Sequence, residues 1–261
     1  MELSLKGKTA LVSGASQGIG KAIAIELSLL GASCILLARN SEALSQAKKE
    51  LAASNGQSHE IFSVDFTDET SLKMLVEKIT SSHAIDILIN NTGGPASGPI
   101  AEAEPEAFEK AFKQHVVCNQ ILTQAVIPSM KKNKWGRIIN VISTSVRIPI
   151  DHLGVSNTIR AAVASWSKTM SNELAVYGIT VNSLLPGFIS TSRLDAVANS
   201  FAEKGGVSKS EMEERMKNSV PAKRFGLPSE IAAMAAFLAS PAASYVNGVS
   251  IPVDGGRTGT I

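Results

Sequence analysis

Residues 13–20 read SGASQGIG, with glycines at 14, 18 and 20, and the apolar run before them passes directly into the amphipathic KAIAIELSLLG. Glycines spaced in this way let the backbone approach a pyrophosphate closely, and a helix starting just after them turns its positive N-terminal end toward that charge. Gly14, Ser16, Gln17, Gly18, Ile19 and Gly20 are therefore the expected phosphate cradle of a dinucleotide site. About 20 residues beyond such a cradle, an NAD site offers a carboxylate to the ribose 2′-hydroxyl, whereas an NADP site offers a cation to the 2′-phosphate. Ala38-Arg39-Asn40-Ser41 stands there, and the nearest acid, Glu42, already belongs to the next helix. Arg39 supplies a planar fork of donors, and Asn40 and Ser41 supply further hydrogen bonds. The expected cofactor is NADP(H), whose chemistry is hydride transfer.

A cradle of this kind works only at the end of a strand in a layered α/β domain. Seven apolar runs, KTALVSG, SCILLAR, HEIFSVD, IDILINN, GRIINVIS, GITVNSLLP and VSIPVDGG, alternate with helix-length amphipathic stretches. Continuous rather than alternating apolar runs suit strands covered on both faces, which is the condition of a parallel sheet between helices. The expected fold is a single-domain, Rossmann-type doubly wound sheet of seven mostly parallel strands spanning residues 1–261. One segment breaks the rhythm. Residues 190–226 hold no strand candidate but place Met212, Met216 and Val220 at helical spacing, as a lid over a binding crevice would.

With 261 residues, 44% hydrophobic and 18% charged, the chain has the material for one large core. A net charge of +2 with scattered Lys and Arg argues against a nucleic-acid footprint. No uncharged apolar run reaches the ~18–20 residues that span a bilayer, and MELSLKGKTALVSG lacks the pattern of a secretory leader. The expectation is a cytoplasmic protein that uses neither membrane nor nucleic acid. Cys34 and Cys118 lie in apolar runs without zinc-like spacing, so they are expected to be buried hydrophobes, and no metal site is expected.

The chain resembles the short-chain dehydrogenase/reductase family, and within it the 3-oxoacyl-acyl-carrier-protein reductase-like group. The resemblance spans essentially the whole chain and rests on SGASQGIG, the Asp65 of SVDFTD, NNTG at 90–93, GRIINVIS, LLPGFIST at 184–191 and the terminal IPVDGG. It implies that Asp65 and Phe66 flank the adenine and that Asn91, Thr92 and Gly93 line the adenosine ribose. It further implies that Pro186, Gly187 and Ile189 border the nicotinamide. Asn90 and Asn91 could simply bridge strand ends, but the coincidence of all these motifs favours the site reading. A homotetramer is also implied, built through helices around 105–132 and 153–176 and the C-terminal strand region.

Reductases of this family use an Asn, a Ser, and a Tyr and Lys four residues apart on one helix. The Tyr protonates the carbonyl oxygen as hydride arrives, and the Lys lowers the phenol pKa and holds the nicotinamide ribose. By the resemblance, Ser143 occupies the Ser position, but Ser156 stands for the Tyr, Arg160 for the Lys and His115 for the Asn. Tyr177 and Tyr245, the only tyrosines, have no Lys four residues later. An aliphatic hydroxyl is a poor acid, although Ser156 could hold a water or donate to a developing alkoxide. Arg160 keeps a cation for the ribose but cannot relay a proton. Imidazole titrates near ~6.5, which makes His115, or else His152, the candidate acid. Arg147 and Asp151 read as solvated loop residues. The expectation is an NADP(H)-dependent reduction of a carbonyl or acyl-thioester substrate, a 3-oxoacyl thioester among them, through a non-standard proton donor. The rival is an NADP-binding pseudoenzyme, a sensor or assembly partner that turns nothing over.

Overall fold

The computed structural model describes residues 1–259. All seven apolar runs are strands: β1 (Thr9–Ser13), β2 (Ser33–Ala38), β3 (Glu60–Ser63), β4 (Ile87–Asn90), β5 (Gly136–Val141), β6 (Ile179–Pro186) and β7 (Ser250–Val253). They form one sheet in the order β3-β2-β1-β4-β5-β6-β7, and every pairing is parallel, where the sequence suggested mostly parallel. Residues of β4, β5 and β6 are buried along their full length, which is why these segments are rich in Ile, Leu and Val without a regular polar alternation, the buried polar residues Asn90, Arg137, Asn140, Thr180, Asn182 and Ser183 aside.

The strand order reverses between β1 and β4. Chain leaving these two neighbours diverges toward opposite faces of the sheet, and the crevice beyond their C-terminal ends is where open parallel sheets bind ligands. Helices α1 (Gly18–Leu29), α2 (Ser41–Lys49) and α9 (Pro228–Ala239) build the core of one face, with Ile23, Leu27, Leu44, Ile231 and Leu238 packed on Leu36 and Ile89. On the other face, α3 (Glu69–Ser82), α5 (Cys118–Asn133) and α6 (Gly154–Leu174) pack Leu72, Val76, Leu122, Val126 and Leu174 on Leu11, Leu88 and Ile138. Cys34 and Cys118 are buried in these cores, and burial pushes each thiol up to about 12. Among the described residues, no helix is long and apolar enough to cross a membrane.

Two departures from regular helix bear on the crevice. Helix α4 (Pro105–Phe112) runs into α5 through a π-helical stretch, Lys113–Val117, whose extra residue per turn rotates His115 inward. The segment expected to lie over the crevice folds as a helix pair, α7 (Ser192–Gly205) and α8 (Lys209–Asn218). Met216 and Val220 are buried as the stripe requires, but Val220 lies beyond the end of α8 and packs against Gly255.

Candidate active site

A cleft of about 850 Å³ opens at the C-terminal edge of the sheet. It runs from the glycine turn to α6 and collects residues that are far apart in sequence. Gly14, Ser16, Gln17, Gly18 and Ile19 line one part of it, and Arg39, Asn40, Asp65 and Phe66 another. Asn91, Thr92, Gly93, Ser143, Ser156, Arg160, Pro186, Gly187 and Ile189 line the remainder. Three of the expected residues, Gly20, Ser41 and His115, do not reach the lining.

The glycine turn is fixed by close approach. A Cβ on Gly14 or Gly20 would come within 2.7 or 2.6 Å of Asn91 Nδ2, which itself donates to the Gly14 carbonyl at 3.2 Å. Gly14 and Gly18 also take φ values of +60° and +56°, in the left-handed region. Asn91 thus does what the structural alternative allowed, tying the end of β4 to the end of β1 while facing the cleft. Its neighbour Asn90 is turned away and donates to Asn140 Oδ1 at 2.8 Å. Helix α1 starts at Gly18 without a side-chain cap, so its first N–H groups are left for a ligand.

At the end of β2, Arg39 is exposed on the cleft and its charge helps hold the Asp65 carboxyl below its usual range, second to the Thr67 backbone and side-chain donors. The amide oxygen of Asn40 accepts from Ala43 N–H at 2.9 Å and caps α2. Only its NH₂ remains for a ligand. Ser41, expected beside Asn40 to supply a hydrogen bond, is an exposed first-turn residue of α2 outside the lining.

At the opposite end, Ser143 ends the strand-to-loop transition after β5 with its Oγ accepting from Ser145 N–H at 3.0 Å. Because that contact uses a lone pair, the hydroxyl proton is free to point into the cleft. Ser156 and Arg160 lie four residues apart on α6 and face the same space. The Arg160 guanidinium is not loose: Nη1 donates to Val141 O at 2.9 Å and Nη2 to Thr92 O at 3.3 Å. Burial pushes its pKa down to about 10, with Arg193 adding repulsion, and it stays charged at neutral pH.

His115, the expected acid, stands back from the cleft surface. It is 1% exposed, it shares a hydrogen bond through Nδ1 with the Thr92 hydroxyl, and it stands behind the lining rather than in it. Burial first, and then the Arg160 charge, push its pKa down to about 2. His152 is also outside the cleft lining, in a left-handed conformation at φ 60°, with its ring edge-on to Phe201 of α7. Arg147 and Asp151 are exposed, as read. Tyr177 and Tyr245 are exposed and outside the lining.

Three lining residues carry signals that the sequence reading passed over. Thr191, inside the quoted LLPGFIST, caps α7 and lies opposite the glycine turn, where a Cβ on Gly18 would be 3.3 Å from its Cγ2. Arg193, two residues later, enters the cleft beside Gly94, and Phe188 adds an aromatic wall.

The family profile described as Enoyl-(Acyl carrier protein) reductase matches residues 14–258. The chain is 36% identical to the NADPH-dependent reductase BacG of Bacillus subtilis (strain 168), over 97% of this chain and 99% of that protein. It is 35% identical to the 3-oxoacyl-[acyl-carrier-protein] reductase FabG of Vibrio cholerae, over 97% of this chain and 98% of that one. The crystal structure of L-sorbose reductase from Gluconobacter frateurii, complexed with NADPH and L-sorbose, superposes with a TM-score of 0.92 at 30% identity, covering 100% of both chains.

Proposed function

This chain belongs to the short-chain dehydrogenase/reductase family, and we propose that it is an NADP(H)-dependent reductase of a small carbonyl substrate with a rebuilt proton route. The observation that carries this reading is the continuity of the cleft, which joins the glycine turn and Arg39 to Ser143, Ser156 and Arg160 without a break. Uncapped N–H groups at Gly18, the close-packed glycine turn and the Arg39 fork fit a phosphorylated dinucleotide. Relatives that use NADPH support the same choice. When bound, NADPH supplies the hydride.

The chain's own residues do the rest. Ser143 donates a hydrogen bond from its free hydroxyl to the substrate carbonyl oxygen and stabilises negative charge as it develops there. Arg160, pinned to Val141 O and Thr92 O, presents its remaining donors to the nicotinamide ribose and adds positive field. Ser156 lacks the length of a Tyr, so a water held by its hydroxyl delivers the proton to the alkoxide, and solvent replaces it. His115, neutral and walled off, positions Thr92 and the loop after β4 instead of donating. Helices α7 and α8 form the lid that excludes bulk water. Self-association through α4, α5 and α6 is part of this proposal, and Phe112, 45% exposed at the end of α4, is an apolar contact point for it.

The second reading, NADP binding without turnover, draws on the same cleft, because its inner end offers no Tyr and no protonatable imidazole. Turnover decides between them. NADPH consumption over acetoacetyl thioesters, β-keto esters, diketones and quinones should rise above the no-substrate rate for at least one class. NADPH binding with consumption unchanged across the panel would favour the second reading.

A further inference from the structure

The charge along the cleft is uneven. Among the described lining residues the charged ones are Arg39, Asp65, Lys110, Arg160 and Arg193, and the single carboxylate, Asp65, stands beside Arg39 at the far end from Ser143. Around Ser143 the charge is cationic only. Neither Arg160 nor Arg193 has a carboxylate within ion-pairing distance among the described residues, although six other Lys or Arg side chains do find one.

Arg193 is held in a fixed place. Its Nη2 donates to Pro95 O at 2.6 Å, and its guanidinium lies against Gly94, where a Cβ would come within 3.1 Å of Nη2. It also sits in the first turn of α7, where the helix field is positive and a cation is unfavourable unless an anion joins it. The acid of that turn, Asp195, is engaged by Lys209 at 3.2 Å. Arg193 stays open to the cleft, its charge helps lower the Arg160 pKa, and partial desolvation lowers its own.

Cofactor phosphates do not account for this cation. Thr191 is the α7 residue opposite the glycine turn, whereas Arg193 is pinned across the cleft on the loop that follows β4. Ile150, Leu153, Phe188 and Val197 make the remaining nearby wall apolar. A charge-assisted, bidentate contact gains strength beside such walls.

We infer that the substrate carries a carboxylate and that Arg193 receives it, so that the cleft takes oxo acids in preference to their neutral esters. This deepens the reductase reading and rests on it for the reaction, since hydride goes to the oxo carbon and a proton to its oxygen, while the carboxylate is unchanged. Binding of the acid, however, does not require turnover.

The test is isothermal titration of protein saturated with NADP⁺, which cannot reduce the ligand, with benzoylformate and levulinate, each beside its methyl ester. At least one acid should bind about tenfold or more tightly than its ester, and Arg193→Met should bring that acid down to the level of the ester. The NADP⁺ affinity should change by less than about twofold, as expected of a residue away from the phosphates. Arg193→Gln, which keeps a donor for Pro95 O, should lose the same preference and guards against a folding defect. Equal affinity for acid and ester, a preference that survives both variants, or no binding of any of the four compounds would overturn the inference. Reduction of neutral ketones without an acid preference would overturn it and leave the reductase standing. Acid binding that depends on Arg193, with no turnover of any compound, would support the anion site and count against the reductase.

Discussion

Replacing Arg39 with Leu tests the cofactor end of the cleft on a quantity that the structure sets. Arg39 is exposed, so its attraction for a 2′-phosphate is best taken in water-like dielectric. A guanidinium about 4 Å from a phosphate of charge about −1.5 to −2 then gains about 1.5–2 kcal/mol, or about 10- to 30-fold in Kd, at low salt. Asn40 cannot compensate, because its amide oxygen caps α2 and leaves one NH₂ for the ligand. Asp65, exposed beside it and stabilised as a carboxylate in part by Arg39, would repel the phosphate once that cation is gone. Fluorescence titration of wild type and Arg39→Leu with NADPH and NADH, at low and high NaCl, measures all of this. NADPH should weaken by about 10- to 30-fold and NADH by less than about twofold, with the NADPH difference shrinking as salt rises. A loss below about twofold for NADPH, or an equal loss for NADH, would show that Arg39 does not read the 2′-phosphate.

Three further outcomes follow from the geometry. Ser143→Ala should lower kcat by about 10²- to 10³-fold, as expected for one lost oxyanion donor, while NADPH affinity stays within about twofold. Steady-state kinetics beside a binding titration separates the two. His115 is neutral in the fold down to about pH 2 but accepts a proton near pH 6.5 once unfolded, so its contribution is complete above pH 6.5 and is lost as the pH falls. Between pH 6.5 and 5, unfolding in urea should show up to about 2 kcal/mol of lost stability that His115→Asn does not lose. The acid limb of kcat should be the same in both proteins. Gly20→Ala would drive a Cβ to within 2.6 Å of Asn91 Nδ2, so NADPH Kd should rise at least about tenfold with the circular dichroism spectrum retained.

The fold was legible because a parallel sheet covered on both faces leaves a direct mark: ILIN and ITVNSLLP are mostly apolar runs with no regular polar alternation, and both became fully buried strands. The glycine turn was legible for a similar reason, since Gly14 and Gly20 are small where Asn91 crowds them. What the sequence hid was side-chain commitment. Asn40 looked like a ligand contact, but the same short amide is a good N-cap, and the helix took its oxygen. His115 looked like an acid because a lone imidazole has its ordinary pKa until burial is known, and the π-helical turn that buries it has no signature in KQHVV. Arg193 lay in a stretch read for its apolar stripe, and only the packing of α7 against the loop after β4 brings it to the cleft.

The central claim is that hydride crosses this cleft although Ser156 and Arg160 stand where the family resemblance expects Tyr and Lys. The most direct test follows the hydrogen itself: protein, NADPH carrying deuterium at C4 of the nicotinamide, and the carbonyl panel, with products read by mass spectrometry. The account predicts one deuterium at the carbinol carbon of at least one product, formed far more slowly by Ser143→Ala. Deuterium retained in bound NADPH, with no labelled product from any carbonyl, would contradict it.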